Sequence, residues 1–388
     1  MTPAARQAAA IDILDRWREG QSIEAVLTSW SRASRYAGSK DREAVRDLVF
    51  RAVRQWRSAS VFGGGTSGRA LMLGLARAEG GEPQGWTGET YTPVALSEDE
   101  RARCADPIPE MTRGEHLDCP DWLLPKFGAA LGAQTDATLT LMRDRAPVFA
   151  RVNLAKTTVE VVIPELADEM ITASAHPLAE TALEITGNPR RLRNSEAYLE
   201  GFVELQDVAS QAISLDFARH VPDGATVLDF CAGGGGKALA LAALGLRVSA
   251  HDIAPARMRD LPSRAARAGV SISVLTDTAE GQWQAVLADA PCSGSGSWRR
   301  APEAKWAFTP ERLDELTSIQ DSILSECAAL TAPAGVMGYA TCSLLREENE
   351  DRVNAFLSSH PDWSVVFQRR LGPLDGGDGF FLAILQRK

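Results

Sequence analysis

Two cysteines draw attention by where they sit. The stretches Asp289-Ala290-Pro291-Cys292-Ser293-Gly294-Ser295-Gly296 and Ala340-Thr341-Cys342-Ser343 each close a short apolar run with a strand pattern. A lone cysteine is more often core packing than a reactive group. Two at the carboxyl ends of adjacent strands of an open α/β sheet, one of them in a Gly/Ser-rich turn, stand where ligands bind and are hard to explain as packing. A third stretch, Val227-Leu228-Asp229-Phe230, runs into Cys231-Ala232-Gly233-Gly234-Gly235-Gly236-Lys237 and then a helix. Consecutive glycines let the backbone approach a ligand and leave helix N-terminal amides free to face it. Gly233, Gly235 and Ala238 satisfy dinucleotide spacing, and Asp252 ends the next strand, where a carboxylate can hold ribose hydroxyls. Ala238 follows Lys237 where a P-loop has Ser or Thr, so this is not an ATP site of that kind. The spacing implies a nucleotide-type cofactor and does not separate a nicotinamide from S-adenosylmethionine.

These residues need a sheet to position them. After Gln206 the chain alternates strand and helix, the pattern of a doubly wound parallel sheet. The pattern predicts strands over Thr226–Phe230, Arg247–His251, Ser271–Leu275, Ala285–Asp289 and Val336–Thr341. Helices are expected over Lys237–Leu244, Pro255–Ala268, Pro310–Thr331 and Arg346–Ser358, and Trp363–Arg369 with Gly379–Gln386 supplies an antiparallel edge. Residues 121–205 mix strand signals (Val148–Asn153, Ala182–Thr186) with helical ones (Val159–Glu169) and read as a small α+β module. Residues 1–120 read as mostly helical: Val45, Leu48, Val49, Ala52, Val53 and Trp56 recur at helical spacing, with Arg42, Arg46, Arg51, Arg54 and Arg57 mostly off that stripe.

The 388 residues carry a net charge of −10, unfavourable overall for approaching phosphates, so the distribution matters. Residues 1–70 hold 12 basic against 7 acidic residues, whereas 71–121 hold 4 against 11. That asymmetry marks separate modules, the first of them basic. The arginines there read more often as a solvated helix face than as an RNA contact. Six cysteines without tight spacing argue for a reducing compartment, and the absence of a long apolar run gives no membrane span. A cytoplasmic protein, with nothing demanding more than a monomer, is the expectation. Cys104, His116 and Cys119 lack paired metal-ligand spacing, so no metal is expected.

The stretches VLDFCAGGGGK, DAPCSGSGSWRRAPEAKW, GYATCSLLREENE and GFVELQDVASQ resemble the RNA cytosine-5 methyltransferases of the Sun/Nop2 family, especially its rRNA-modifying bacterial branch. The likeness covers Gly201–Lys388 strongly and 120–200 more weakly, where PVFARVNLAK is similar to the first strand of a small RNA-recognition-like module. Ser39-Lys40-Asp41-Arg42 is similar to a helical domain related to the antitermination factor NusB. One departure is Gly233-Gly234, where the family usually has Ala-Pro; more glycine loosens the loop.

The resemblance implies a class I methyltransferase with a Rossmann-like doubly wound sheet over 206–388, an RNA-recognition-like module over 121–205 and an RNA-capturing helical domain over 1–120. It implies S-adenosylmethionine as cofactor and RNA as partner, rRNA first and tRNA as the alternative. By the same likeness Cys342 is the nucleophile, Cys292 assists release and Asp289 faces the cytosine ring, while Lys237 either contacts that aspartate or holds the end of the glycine loop as a first-turn helix residue. Cofactor contacts fall to Cys231, Ala232, Gly233, Gly234, Gly235, Gly236 and Lys237 with Asp252, Arg257, Asp277 and Asp289. Arg299, Arg300 and Lys305, interleaved with Trp298 and Trp306, suit a flipped base and its phosphates as readily as surface packing. A non-catalytic RNA-binding assembly factor and a nicotinamide dehydrogenase give no reason for paired thiols.

Overall fold

The computed structural model describes residues 1–277 and 283–387. The chain forms two compact units. Met1–Arg145 with Trp298–Ala307 makes one, and Ala146–Ser297 with the chain from Phe308 onward makes the other. The helices Leu124–Leu131 and Thr135–Leu141 fall within the first of these units.

The helical unit is built on Pro3–Arg18, Ile23–Ala33, Ser39–Arg54, Trp56–Gly63 and Gly68–Ala78. The helical run from Ala8 to Trp30 is two helices because the chain turns at Gly20, whose φ of +94° a side chain rarely tolerates. Ile13, Leu14, Val45, Val49, Val53, Leu71 and Leu73 are fully buried and form its core. The arginine face is largely spent on internal fastening. Arg51 pairs with Glu79 at 2.6 Å and Arg57 with Asp121 at 2.6 Å; Arg46 pairs with Glu24, and buried Arg54 donates to the Arg299 carbonyl at 3.2 Å.

Trp298–Ala307 packs into the first unit. Lys305 donates from a buried position to the carbonyls of Asp118 (2.5 Å) and Arg54 (3.3 Å), and burial holds its ammonium down to about 8. Trp306 donates to the Val53 carbonyl at 2.7 Å and meets Trp56 edge-on, while Trp298 packs edge-on against Phe127. Arg299 is also buried. The packing reading holds for Trp298, Arg299 and Lys305, which are buried in the helical unit, and Trp306 is half-buried against it, whereas Arg300 is exposed.

In the second unit, β1 (Phe149–Val152), β2 (Thr172–Ala175), β3 (Ala182–Gly187) and β4 (Val203–Leu205) form an antiparallel sheet in the order β2-β3-β1-β4. The remaining strands are β5 (Thr226–Asp229), β6 (Arg247–Ala250), β7 (Ile272–Val274), β8 (Trp283–Asp289), β9 (Thr331–Thr341), β10 (Trp363–Leu371) and β11 (Phe380–Arg387). They make one seven-stranded sheet in the order β10-β11-β9-β8-β5-β6-β7, parallel from β7 to β9 and antiparallel around β11. The expected doubly wound sheet is present, with β11 inserted between β9 and β10 as the antiparallel edge. Its two faces bury separate cores, Val227, Leu239, Leu287 and Leu382 on one side and Val286, Met337, Tyr339 and Phe381 on the other. Such burial on both faces is why its strands read as continuous apolar runs. Strand order reverses between β5 and β8, which opens the crevice at their carboxyl ends.

Candidate active site

Asp229 ends β5, Asp289 ends β8 and Cys342 follows the end of β9, so three adjacent parallel strands deliver three polar groups to one edge. They line a cleft of about 480 Å³ with Gln206, Ser210, Cys231, Ala232, Gly233, Gly234, Gly236, Lys237, Arg257, Ala290, Pro291, Cys292, Arg312 and Leu316. Both cysteines are free thiols, half-buried, with their sulfurs 3.4 Å apart. The hydrogen bond to Cys342 and burial hold Cys292 as a thiol, well above the ordinary range.

Lys237, in the first turn after the glycines, is buried and donates to Asp289 Oδ2 at 2.5 Å. Burial pulls its ammonium down, but Asp289 and then Asp229 outweigh that and hold it charged above an ordinary lysine. Asp229 is the residue that spacing alone does not single out. It is buried, neither oxygen has a hydrogen-bond partner, and burial, opposed by Lys237 and reinforced by Asp289, pushes it up to about 7.

The glycine loop is not loose. Gly233 has φ +52° and Gly235 φ +77°, backbone states that disfavour side chains, and a Cβ on Gly235 would stand 2.3 Å from Leu261. Gly233 donates to Asp252 Oδ2 at 2.8 Å, Ala232 to the His251 carbonyl at 2.9 Å, and Arg264 caps the Gly234 carbonyl. Gly233 thus relieves the strain an alanine would carry at that φ, and the hydrogen bonds replace the stiffness lost with the proline. Asp252 is buried behind the loop, where it also accepts from Ala254 at 2.9 Å and pairs with Arg257 at 3.1 Å. Asp277 is exposed beyond β7 and is not among the residues lining the cleft. Cys327 is fully buried in the sheet core, and Cys231 is raised by burial, so neither is a thiolate. Among the described residues no group of three or more His, Cys, Asp or Glu side chains is placed to hold a metal, and no helix is long and apolar enough to cross a membrane.

Residues 218–386 match the family described as 16S rRNA methyltransferase RsmB/F, and 119–190 match the ferredoxin-like domain of RsmF/B-like methyltransferases. The chain belongs to the RsmB/F family. Ribosomal RNA small subunit methyltransferase B of Salmonella typhi is 30% identical over 287 residues, 69% of this chain and 66% of that protein. The Cronobacter sakazakii protein of the same name is 31% identical over 288 residues, with the same coverage. The chain thus spans just under two thirds of the length of these relatives. Among solved structures, that of PH0851 superposes over 100% of this chain and 99% of its own with TM-score 0.78 at 22% identity. A methyltransferase homologue from Pyrococcus horikoshii covers 71% and 97%, with TM-score 0.62 at 21% identity. The RsmB/F fold is therefore the class I methyltransferase fold expected from the resemblance.

S-adenosylmethionine is the cofactor of such an enzyme, and the residues present fit it. The cradle formed by Gly233 to Gly236 brings backbone to the cleft, and Asp229, which lines it with neither oxygen hydrogen-bonded, suits a group that carries hydrogen-bond donors and positive charge.

Proposed function

We propose that this RsmB/F-family protein methylates carbon 5 of a cytosine in RNA, with small-subunit rRNA as substrate. One observation carries the reading: two free thiols 3.4 Å apart share a cofactor-type cleft with a Lys–Asp pair. Bound S-adenosylmethionine supplies an electrophilic methyl group. Cytosine carbon 5 is too weak a nucleophile to take it unaided, so the Cys342 thiolate bonds to carbon 6 and the double-bond pair moves toward the ring edge and carbon 5. Asp289, hydrogen-bonded to the Lys237 ammonium, meets the N3 edge and passes a proton to it as negative charge develops there, Lys237 replacing that proton. After methylation the carbon-5 proton passes to solvent as the double bond re-forms and the Cys342 sulfur leaves as a thiolate, to which the Cys292 thiol, 3.4 Å away, donates its proton. Bisulfite sequencing of RNA from a deletion strain and its parent tests this; a lost 5-methylcytosine in small-subunit rRNA supports it, and one lost only from tRNA moves the substrate. Reduced catalytic thiols suit a cytoplasmic protein.

Cofactor contacts are assigned to Cys231 through Lys237, Asp229, Asp252, Arg257, Asp277 and Asp289. For Asp252 the support is indirect, since its oxygens anchor the Gly233 and Ala254 amides. Asp252→Ala frees the loop and removes a ribose acceptor, and weakens S-adenosylhomocysteine binding by about 1–3 kcal/mol, read by calorimetry. Native affinity in a folded variant rejects the assignment.

The helical unit is assigned to RNA capture. Exposed Arg32, Arg35, Lys40 and Arg42 make no ion pair among the described residues, unlike Arg46, Arg51 and Arg57. Beside them Tyr36 and Tyr91 are 66% and 74% exposed with ring centroids 6.1 Å apart, an arrangement on which unpaired bases stack. Arg35→Ala with Tyr36→Ala lowers RNA affinity about 10-fold and reduces its salt slope by about one, while S-adenosylhomocysteine binding stays native. Fluorescence anisotropy across salt concentrations checks it, and an unchanged slope removes the assignment. Point variants are needed because deleting the unit would strip Trp298–Ala307 of its packing.

A further inference from the structure

Glu348 is fully buried, and the chemistry above does not use it. It ends the turn Arg346–Glu348, and its two oxygens collect four donors from three segments of the chain. Oε1 accepts from the Ser293 amide at 2.7 Å and from Gln320 Nε2 at 3.2 Å; Oε2 accepts from the hydroxyls of Ser293 and Ser343 at 2.5 Å each. Ser293 directly follows Cys292, and Ser343 directly follows Cys342. Gln320 also donates to the Pro291 carbonyl at 2.9 Å, so both sides of Cys292 are tied to the same carboxyl group. No cation pairs with Glu348 among the described residues; all four of its donors are neutral. A buried carboxylate satisfied only by neutral donors is costly, and a hydrophobic or amide side chain would fold there at less expense.

We propose that Glu348 is a positioning residue that clasps the turn after Cys292 to the turn after Cys342, and thereby sets the approach of the two sulfurs and the unequal roles of the two thiols. Its clasp is continued by neighbours. Ser295 Oγ lies 3.0 Å from Ser343 Oγ and accepts from the Leu344 amide at 2.8 Å, Gly296 donates to the Cys342 carbonyl at 2.9 Å, and Asn349 donates to the Ser343 carbonyl at 2.9 Å. The β8–β9 ladder ends at Asp289 and Ala340, with a last bond from the Ala290 amide to the Ala340 carbonyl at 2.9 Å, and beyond it these cross-links hold together the two turns whose cysteines, 50 positions apart in the chain, bring their sulfurs to 3.4 Å. The negative charge also acts on Cys292, which it helps to keep protonated, after the larger effects of the Cys342 hydrogen bond and burial. The titratable groups facing Cys292 are Cys342, Glu348 and Tyr339, with Asp289 and Lys237 in the same cleft.

This inference rests on the two-thiol reading above, and its test does not need methylation. In full-length protein, iodoacetamide alkylation of Cys292 is followed by peptide mass mapping across pH, with S-adenosylhomocysteine affinity measured alongside. Glu348→Gln keeps the shape and removes the charge. It is expected to move the Cys292 alkylation midpoint to lower pH and to lower methyl-transfer kcat about 10-fold or more, with S-adenosylhomocysteine affinity within twofold of the parent. Ser343→Ala removes one strand of the clasp and keeps the charge; it lowers kcat and leaves the alkylation midpoint in place. An unmoved midpoint together with kcat within threefold of the parent in Glu348→Gln overturns the proposal. If Glu348→Gln fails to fold, Ser343→Ala and Ser293→Ala decide alone, and native kcat in both overturns it. Absence of cytosine methylation in the parent protein rejects the functional reading and leaves the alkylation result to judge Glu348.

Discussion

Cys342→Ala lowers methylation by more than about 10³-fold and yields no covalent enzyme–RNA adduct, because nothing is left to add to carbon 6. Cys292→Ala behaves differently. Addition and methyl transfer proceed, release slows by about 10²–10⁴-fold, and enzyme accumulates covalently joined to methylated RNA. The structure supplies the asymmetry: Cys292 is held as a thiol by its hydrogen bond to Cys342 and by burial. Both substitutions remove a small, half-buried group, so melting curves should match the parent. A denaturing gel after incubation with cofactor and RNA reads the result. A slow-migrating adduct in Cys342→Ala and none in Cys292→Ala reverses the roles, and normal methylation by both variants ends the thiol mechanism for this protein.

Asp229→Asn makes the protein more stable and the cofactor bind less well. Asp229 is buried without a hydrogen-bond partner and is pushed up to about 7, against 3.8 for an ordinary aspartate. The folded state therefore binds its proton more readily than the unfolded chain, and the cost of burying the charge is absent below about 4 and complete above about 7. The amide carries no such cost. At pH 8 the variant gains on the order of 2 kcal/mol in unfolding free energy, and the gain shrinks to nothing as pH falls toward 4. S-adenosylhomocysteine affinity falls about 10-fold, since the carboxylate is the unpartnered acceptor facing the cleft. Denaturant melts from pH 4 to 8 with calorimetry check both halves. A stability gain that does not change with pH, or unchanged affinity, removes Asp229 from the site.

Much of this was legible beforehand because it is local. The glycine run after Val227–Phe230, the strand ends before Cys292 and Cys342, and the alternation of strand and helix after Gln206 are written in neighbouring residues and in periodicity. The expected strands lie within a few residues of those observed, and Pro255–Ala268 differs only in breaking at Arg259 and Asp260 into a 3₁₀ turn, Pro255–Met258, and the helix Leu261–Ala268. Other elements left no usable signal. The helix Val208–Ala218 is buried nearly all round and so has no amphipathic stripe, and β2 is an exposed edge strand of four residues, Thr172–Ala175.

The amino-acid order thus determined which strands exist, which loops carry glycine and thiol, and hence the class of chemistry. What it could not determine is which distant side chains meet. The burial that strips Asp229 of partners, the clasp of Ser293, Gln320, Ser343 and Glu348, and the capture of Trp298, Lys305 and Trp306 by a helical core all join residues far apart in the chain. Charge, acidity and hydrogen-bond satisfaction depend on three-dimensional neighbours and local dielectric, and those arise only when the sheet closes its order and the helices pack.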